Sequence, residues 1–161
     1  MLLRIWWFVT LLLAALGLTM GAAHLLELPV RMQYDPRLYT RVTSTSYRYF
    51  GLVGGPIQVV ALLCSVVLAW LMRGRAGFRW TMAAAVCLAL SLLLWFLRVQ
   101  PVNTAWAEAL RSGPAAAAEA YARLRVRWEY GHVAAFAAWL LGFVLLLYST
   151  VREIAPSARD A

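Results

Sequence analysis

"IWWFVTLLLAALGLTMGAAHLL", residues 5 to 26, contains no aspartate, glutamate, lysine or arginine. A helix rises about 1.5 Å per residue, so about 20 such residues cross the hydrocarbon core of a bilayer. Three more predominantly apolar runs of similar length follow at residues 50 to 72, 78 to 99 and 128 to 150, with charges only near their ends, and only 14% of the 161 residues are charged. With 63% hydrophobic residues and a mean hydropathy of +0.70, the composition is that of an integral membrane protein and excludes an ordinary soluble domain. Trp6, Trp7, Trp70, Trp80 and Trp128 fall near run ends, where indole rings settle at the membrane interface.

The expected fold is therefore an all-α membrane domain spanning residues 1–161, with four transmembrane helices in an up-down-up-down bundle. The first run also has the outline of a signal peptide, with Arg4 before it and "GAA" at 21 to 23. Its length and the polar pair at its end favour a spanning helix. Cys64 and Cys87 lie mid-run and supply neither a disulfide framework nor a zinc pattern.

The net charge of +8 comes from fifteen basic residues, all arginine. They flank the apolar runs instead of forming a basic face, so the expected contacts are membrane lipids and not nucleic acid. The turn "RGRAGFR", residues 73 to 79, carries Arg73, Arg75 and Arg79 with no acid, which argues for the cytoplasmic side. The opposite loops hold eight arginines but are long and partly neutralised. The expected setting is a bacterial plasma membrane with both termini cytoplasmic.

Both long loops have helical signals. In "MQYDPRLYTRVTSTSYRYF", residues 32 to 50, Asp35 suits an N-cap and Pro36 a first helical position, with Leu38, Val42, Thr45 and Tyr49 on one face of an interfacial helix over about 36–49. In the other loop Pro101 ends the third spanning helix and Asn103 caps the next, within an interfacial stretch of about 104–127 broken at "SGP", residues 112 to 114. From Pro114 the helix runs on into the fourth span. Tyr121, Leu124, Trp128 and His132 then share the stripe that faces the bundle.

The only two histidines each have a glutamate three residues away, as His24 with Glu27 and Glu129 with His132. Up-down topology brings the end of the first helix and the start of the fourth to one side of the membrane, histidines deeper and carboxylates nearer water. Tyr47, Gly51, Gly54 and Gln58 form a stripe on the second helix, where small residues permit close approach and "GGP" at 54 to 56 favours a kink. Ser91, Trp95 and Arg98 do the same on the third, followed by Gln100 and Asn103. A polar pocket at the loop end is expected, with His24, His132, Glu27 and Glu129 as candidate catalytic residues. Tyr47, Gln58, Arg98, Asn103, Trp106 and Trp128 are the candidate substrate contacts.

Structural roles compete with these. Glu129 has Arg125 four residues before it, Glu27 has Arg31 four after it, and Arg98 is placed to snorkel to headgroups. Three chemistries suit the pocket. Paired Glu-x-x-His motifs hold metals in carboxylate-bridged bundles, but the second and third helices supply no further glutamate, and no metal or cofactor is expected. A histidine held by a carboxylate is a general base, with Arg98 and Asn103 to steady an oxyanion. A non-catalytic site for a lipid, quinone or partner helix is the third.

"AHLLELPVRMQYDPRLY" (23–39), "YRYFGLVGGP" (47–56), "FLRVQPVNTAW" (96–106) and "RLRVRWEYGHVAAF" (123–136) resemble, in order, four blocks of the four-helix membrane family that includes the fungal anthrone oxygenases. The most specific parts are Pro101 with Asn103, and Arg127, Trp128 and His132 as Arg-Trp-x-x-x-His. The resemblance, over roughly residues 15 to 150, implies cofactor-independent oxygenation of an anthrone or another hydrophobic aromatic or quinone-type molecule. His132 or His24 would serve as base, Arg98 and Asn103 as enolate contacts, and Trp106 or Trp128 as a stacking surface. The alternative is a non-enzymatic membrane protein that binds a lipid, quinone or partner subunit.

Overall fold

The computed structural model describes residues 1–154, all helix and turn. Four spanning segments come from α1 (Leu2–Arg31), α4 (Gly55–Leu71), α5 (Phe78–Arg98) and α7 (Pro114–Ile154). The loop end adds α2 (Pro36–Thr45), the single turn α3 (Tyr47–Tyr49), a π-helical turn at Phe50–Gly54 and α6 (Gln100–Ser112). In the bundle α1 packs on α4 and α7, and α5 packs on α4 and most extensively on α7, which closes a four-helix ring. Its outward faces carry Leu, Val and Phe side chains that meet lipid, so the chain is an integral membrane protein.

Lipid tails are as apolar as leucine, so these helices associate through close packing and polar contacts instead of through burial from water. Trp7, Ala14, Ala61, Leu68, Met72, Ala84, Leu88, Trp139 and Leu146 form the core between them. Small residues let the backbones approach: a Cβ on Gly17 would lie 2.6 Å from the Trp139 ring, and one on Gly142 2.9 Å from Leu88. Side chains also reach across to carbonyls, with Trp139 Nε1 donating to Ala14 at 2.9 Å and Ser91 Oγ to Ala135 at 2.7 Å.

Several local expectations hold. Asp35 caps α2 by accepting from the Arg37 and Leu38 amides at 2.8 and 3.1 Å, with Pro36 in the first turn. Gly113, at φ +115°, breaks the chain before Pro114, and the helix beginning there continues unbroken into the membrane.

Others are corrected. α1 continues past Leu26 through Pro29 to Arg31, because an apolar run marks where lipid contact stops and not where hydrogen bonding stops. Pro29 forfeits its own ladder bond to the Leu25 carbonyl, yet the helix continues for two more residues. α6 starts at Gln100 with Pro101 in its first turn, where a missing N–H costs little. Asn103 is thus inside the helix, its amide already bonded to the Val99 carbonyl, and is not an N-cap. The face that α2 turns to the bundle is the one carrying Tyr39 and Thr43, continued by Tyr47, which are buried, whereas Leu38, Thr45 and Tyr49 point outward and Val42 is half-buried.

Candidate functional site

Because α1 extends to Arg31, it delivers a guanidinium to the loop end of the bundle. Arg31 and Glu129 are each only 1% exposed. Arg31 Nε and a terminal nitrogen donate to the two Glu129 oxygens at 2.9 and 2.5 Å, a bidentate pair joining α1 to α7. Its remaining donors go to the His24 carbonyl at 2.9 Å, to Glu27 at 3.1 Å and to the Tyr47 hydroxyl. All five guanidinium hydrogens are used. Tyr39 completes the group by donating to Glu129 at 2.8 Å, which ties in α2.

The carboxylates therefore serve Arg31 and not the histidines. Glu129 does not pair with Arg125 either, which instead donates to the Tyr34 carbonyl at 2.9 Å and lies over the Tyr39 ring. Glu27 does pair with Arg31 as its spacing suggests, on the half-exposed rim of the group.

The histidines meet each other. The imidazoles of His24 and His132 stack with centroids 3.9 Å apart and planes 24° off parallel. Tyr47, Phe50 and Trp128 surround His24 at 4.9, 5.4 and 5.2 Å, and Trp128 meets His132 edge-on at 4.2 Å. The π turn brings Phe50 into this cage, in register with Tyr47 at 5.0 Å. His132 Nδ1 lies 3.0 Å from the Trp128 carbonyl. A carbonyl can only accept, so Nδ1 carries the hydrogen and the lone pair of the neutral ring is on Nε2. His24 Nδ1 is buried without a partner among the described residues.

These rings form one wall of an open cavity of about 870 Å³ lined by all four spanning segments, within the range of small-molecule sites. Gly17, Gly21, Phe136 and Trp139 line its deep end, and Trp106 and Tyr121, stacked at 4.1 Å, line its loop end. Most of the lining is aromatic or aliphatic. The polar exceptions include Gln58, which donates to the Gly17 carbonyl at 3.2 Å, and Asn103, whose carbonyl oxygen accepts from Trp128 Nε1 at 2.8 Å. That bond fixes the Asn103 amide and leaves its N–H groups without a protein partner among the described residues.

Of the ten residues expected at the site, His24, His132, Tyr47, Gln58, Asn103, Trp106 and Trp128 line the cavity. Glu27 and Glu129 stand beside it in the Arg31 group, and Arg98 is exposed at the end of α5, outside the lining. Sequence reasoning missed Arg31 and Tyr39. The four-residue interval from Glu27 to Arg31 is the signal for the first, and the Tyr39, Thr43, Tyr47 spacing for the second. Of the two small residues read as packing points, Gly54 does pack on Met20, but a Cβ at Gly51 would meet nothing within 4 Å. Among the described residues no three His, Cys, Asp or Glu side chains converge as a metal ion requires.

The chain matches no family model, no curated protein and no solved structure.

Proposed function

We propose that the cavity binds a hydrophobic aromatic or quinone-type small molecule and that the protein oxygenates it in the manner of the anthrone oxygenases its sequence blocks resemble. The observation that carries this reading is the histidine stack set in an aromatic cavity, with a lone pair on His132 Nε2. With an anthrone bound, Nε2 takes a proton from the acidic methylene. The resulting enolate oxygen is steadied by the Asn103 amide, the group left to do so once Arg98 lies outside the lining. Dioxygen adds at the carbanion carbon, and the hydroperoxide loses water to leave the quinone carbonyl. Trp106 and Trp128 flank the rings.

Oxygen uptake by the purified protein with an anthrone tests this. His132→Ala is expected to abolish uptake above the spontaneous rate while the helical circular dichroism spectrum and gel-filtration profile stay unchanged; undiminished uptake overturns the catalytic role. A second reading, binding of a lipid or quinone without turnover, draws on the engagement of both carboxylates by Arg31, which leaves the histidines without an acidic partner.

A further inference from the structure

We infer that the cavity opens sideways into the lipid between α4 and α5, through a port bounded by Gly51, Gly55 and Val59 on one side and Leu93 and Phe96 on the other, and that its aromatic ligand enters from the bilayer. The inference rests on the reading that the cavity holds a small molecule.

The topology produces the gap. α4 and α5 are joined by a tight turn at the far end of the bundle, while at the cavity end α2 and α6 both lean on α7. Among the described residues neither α2 nor α6 packs closely on α4, so neither covers the α4–α5 seam there. The residues on its two sides belong to the cavity lining and are also outward-facing: Val59 is 48% exposed, Leu93 51% and Phe96 62%. All three are apolar, as suits a passage through hydrocarbon.

Its depth places the opening in the membrane. Gly54 packs on Met20 and Gln58 bonds the Gly17 carbonyl, so the end of the π turn and the start of α4 lie level with residues 17 to 20 of α1. Met20 is six residues inside the end of the apolar run at Leu26, which is about 9 Å along the helix.

The glycines carry the argument further. Gly17, Gly21 and Gly54 are explained by packing, since a Cβ on each would come within 3 Å of Trp139, Phe136 or Met20. Gly51 and Gly55 have neither that reason nor a positive φ, and a Cβ on either would meet nothing within 4 Å. Glycine weakens a helix relative to alanine, so two of them without a packing role leave the open space itself as their effect.

The test uses the full chain in lipid nanodiscs and 9,10-anthraquinone as probe, followed by quenching of tryptophan fluorescence after the probe is supplied in the bilayer. Gly55→Leu, and independently Leu93→Trp from the opposite rim, should slow saturable quenching by about tenfold or more. Ala107→Trp, which narrows the aqueous side of the cavity, should leave the rate unchanged. A helical spectrum and thermal midpoint equal to those of the native chain certify each variant, and the two plugs are built from different helices so that one misfolded variant does not decide the matter. Slowing by Ala107→Trp alone, or by none of the three, overturns the lateral port. Absence of saturable quenching in the native chain overturns the cavity reading beneath it.

Discussion

The two ends of the bundle solve different problems. At the tight-turn end the helices close on one another: a Cβ on Gly77 would lie 2.6 Å from Ser149 Oγ, and Ser149 donates to the Gly77 carbonyl at 2.8 Å while contacting the Thr81 hydroxyl at 2.8 Å. Leu68, Met72, Leu88 and Leu146 fill the space between with no exposure. At the loop end the same helices stand around an open volume, and the Arg31 group holds them from its side. Close packing cannot leave room for a ligand, because every contact it gains removes volume. A directional, fully satisfied ionic group can fix the spacing of α1, α2 and α7 while the space beside it stays open.

That contrast predicts where single substitutions hurt most. Glu129→Gln leaves Arg31 buried without its bidentate partner, and such a loss typically costs about 3–5 kcal/mol. The thermal midpoint of the detergent-solubilised protein should fall sharply, with loss of the aromatic near-ultraviolet signal from the Tyr47, Phe50 and Trp128 cage. A midpoint unchanged from the native chain would mean that the loop end is held by something other than this group. Leu88→Ala, in the closed half, should cost about 2–5 kcal/mol through the cavity it opens. It should leave binding of a quinone probe at the other end intact, and a large loss of binding would show that the two halves are not independent.

The same contrast governs what the sequence revealed. The four spans were legible because a lipid-facing helix must be apolar over nearly its whole length, a requirement that "IWWFVTLLLAALGLTMGAAHLL" meets at every position but Thr10, Thr19 and His24. Seven of the ten candidate site residues were legible because helical spacing places His24, His132, Tyr47 and Gln58 on inward stripes of helices whose order was already known. The partners of the charged groups were not. Glu129 could have bonded Arg125, a histidine or Arg31, and only the extension of α1 past Pro29 selects Arg31. A proline in a last turn and a proline that ends a helix look alike in sequence. Arg98 failed for a different reason: its stripe with Ser91 and Trp95 is real, but at the end of α5 the residue is exposed outside the cavity lining.

Smaller effects sharpen the comparison at single contacts. Ser149→Ala removes the hydroxyl shared by Gly77 and Thr81, and interhelical hydrogen bonds in membranes contribute about 0.6 kcal/mol on average and no more than about 1.7. The expected drop in thermal midpoint is correspondingly modest, well short of that for Leu88→Ala. A drop as large as that one would move the strength of the closed end from apolar packing to its polar contacts.

Glu27→Gln should do least of all, and it is the most discriminating partner for Glu129→Gln because both carboxylates bind the same guanidinium. Glu27 is 50% exposed at its side chain and reaches Arg31 through one contact at 3.1 Å, whereas Glu129 is 1% exposed and holds it through two. Solvent screens the first pair and restores hydration to whichever partner is released, so its loss should cost less than about 1 kcal/mol. Arg31 keeps Glu129 as its counter-charge in that variant, and the cavity should bind a quinone probe as before. If the two variants lost equal stability, the cluster would be behaving as one delocalised charge network instead of a buried pair with an exposed neighbour, and the spacing of α1 from α7 would depend on both carboxylates together.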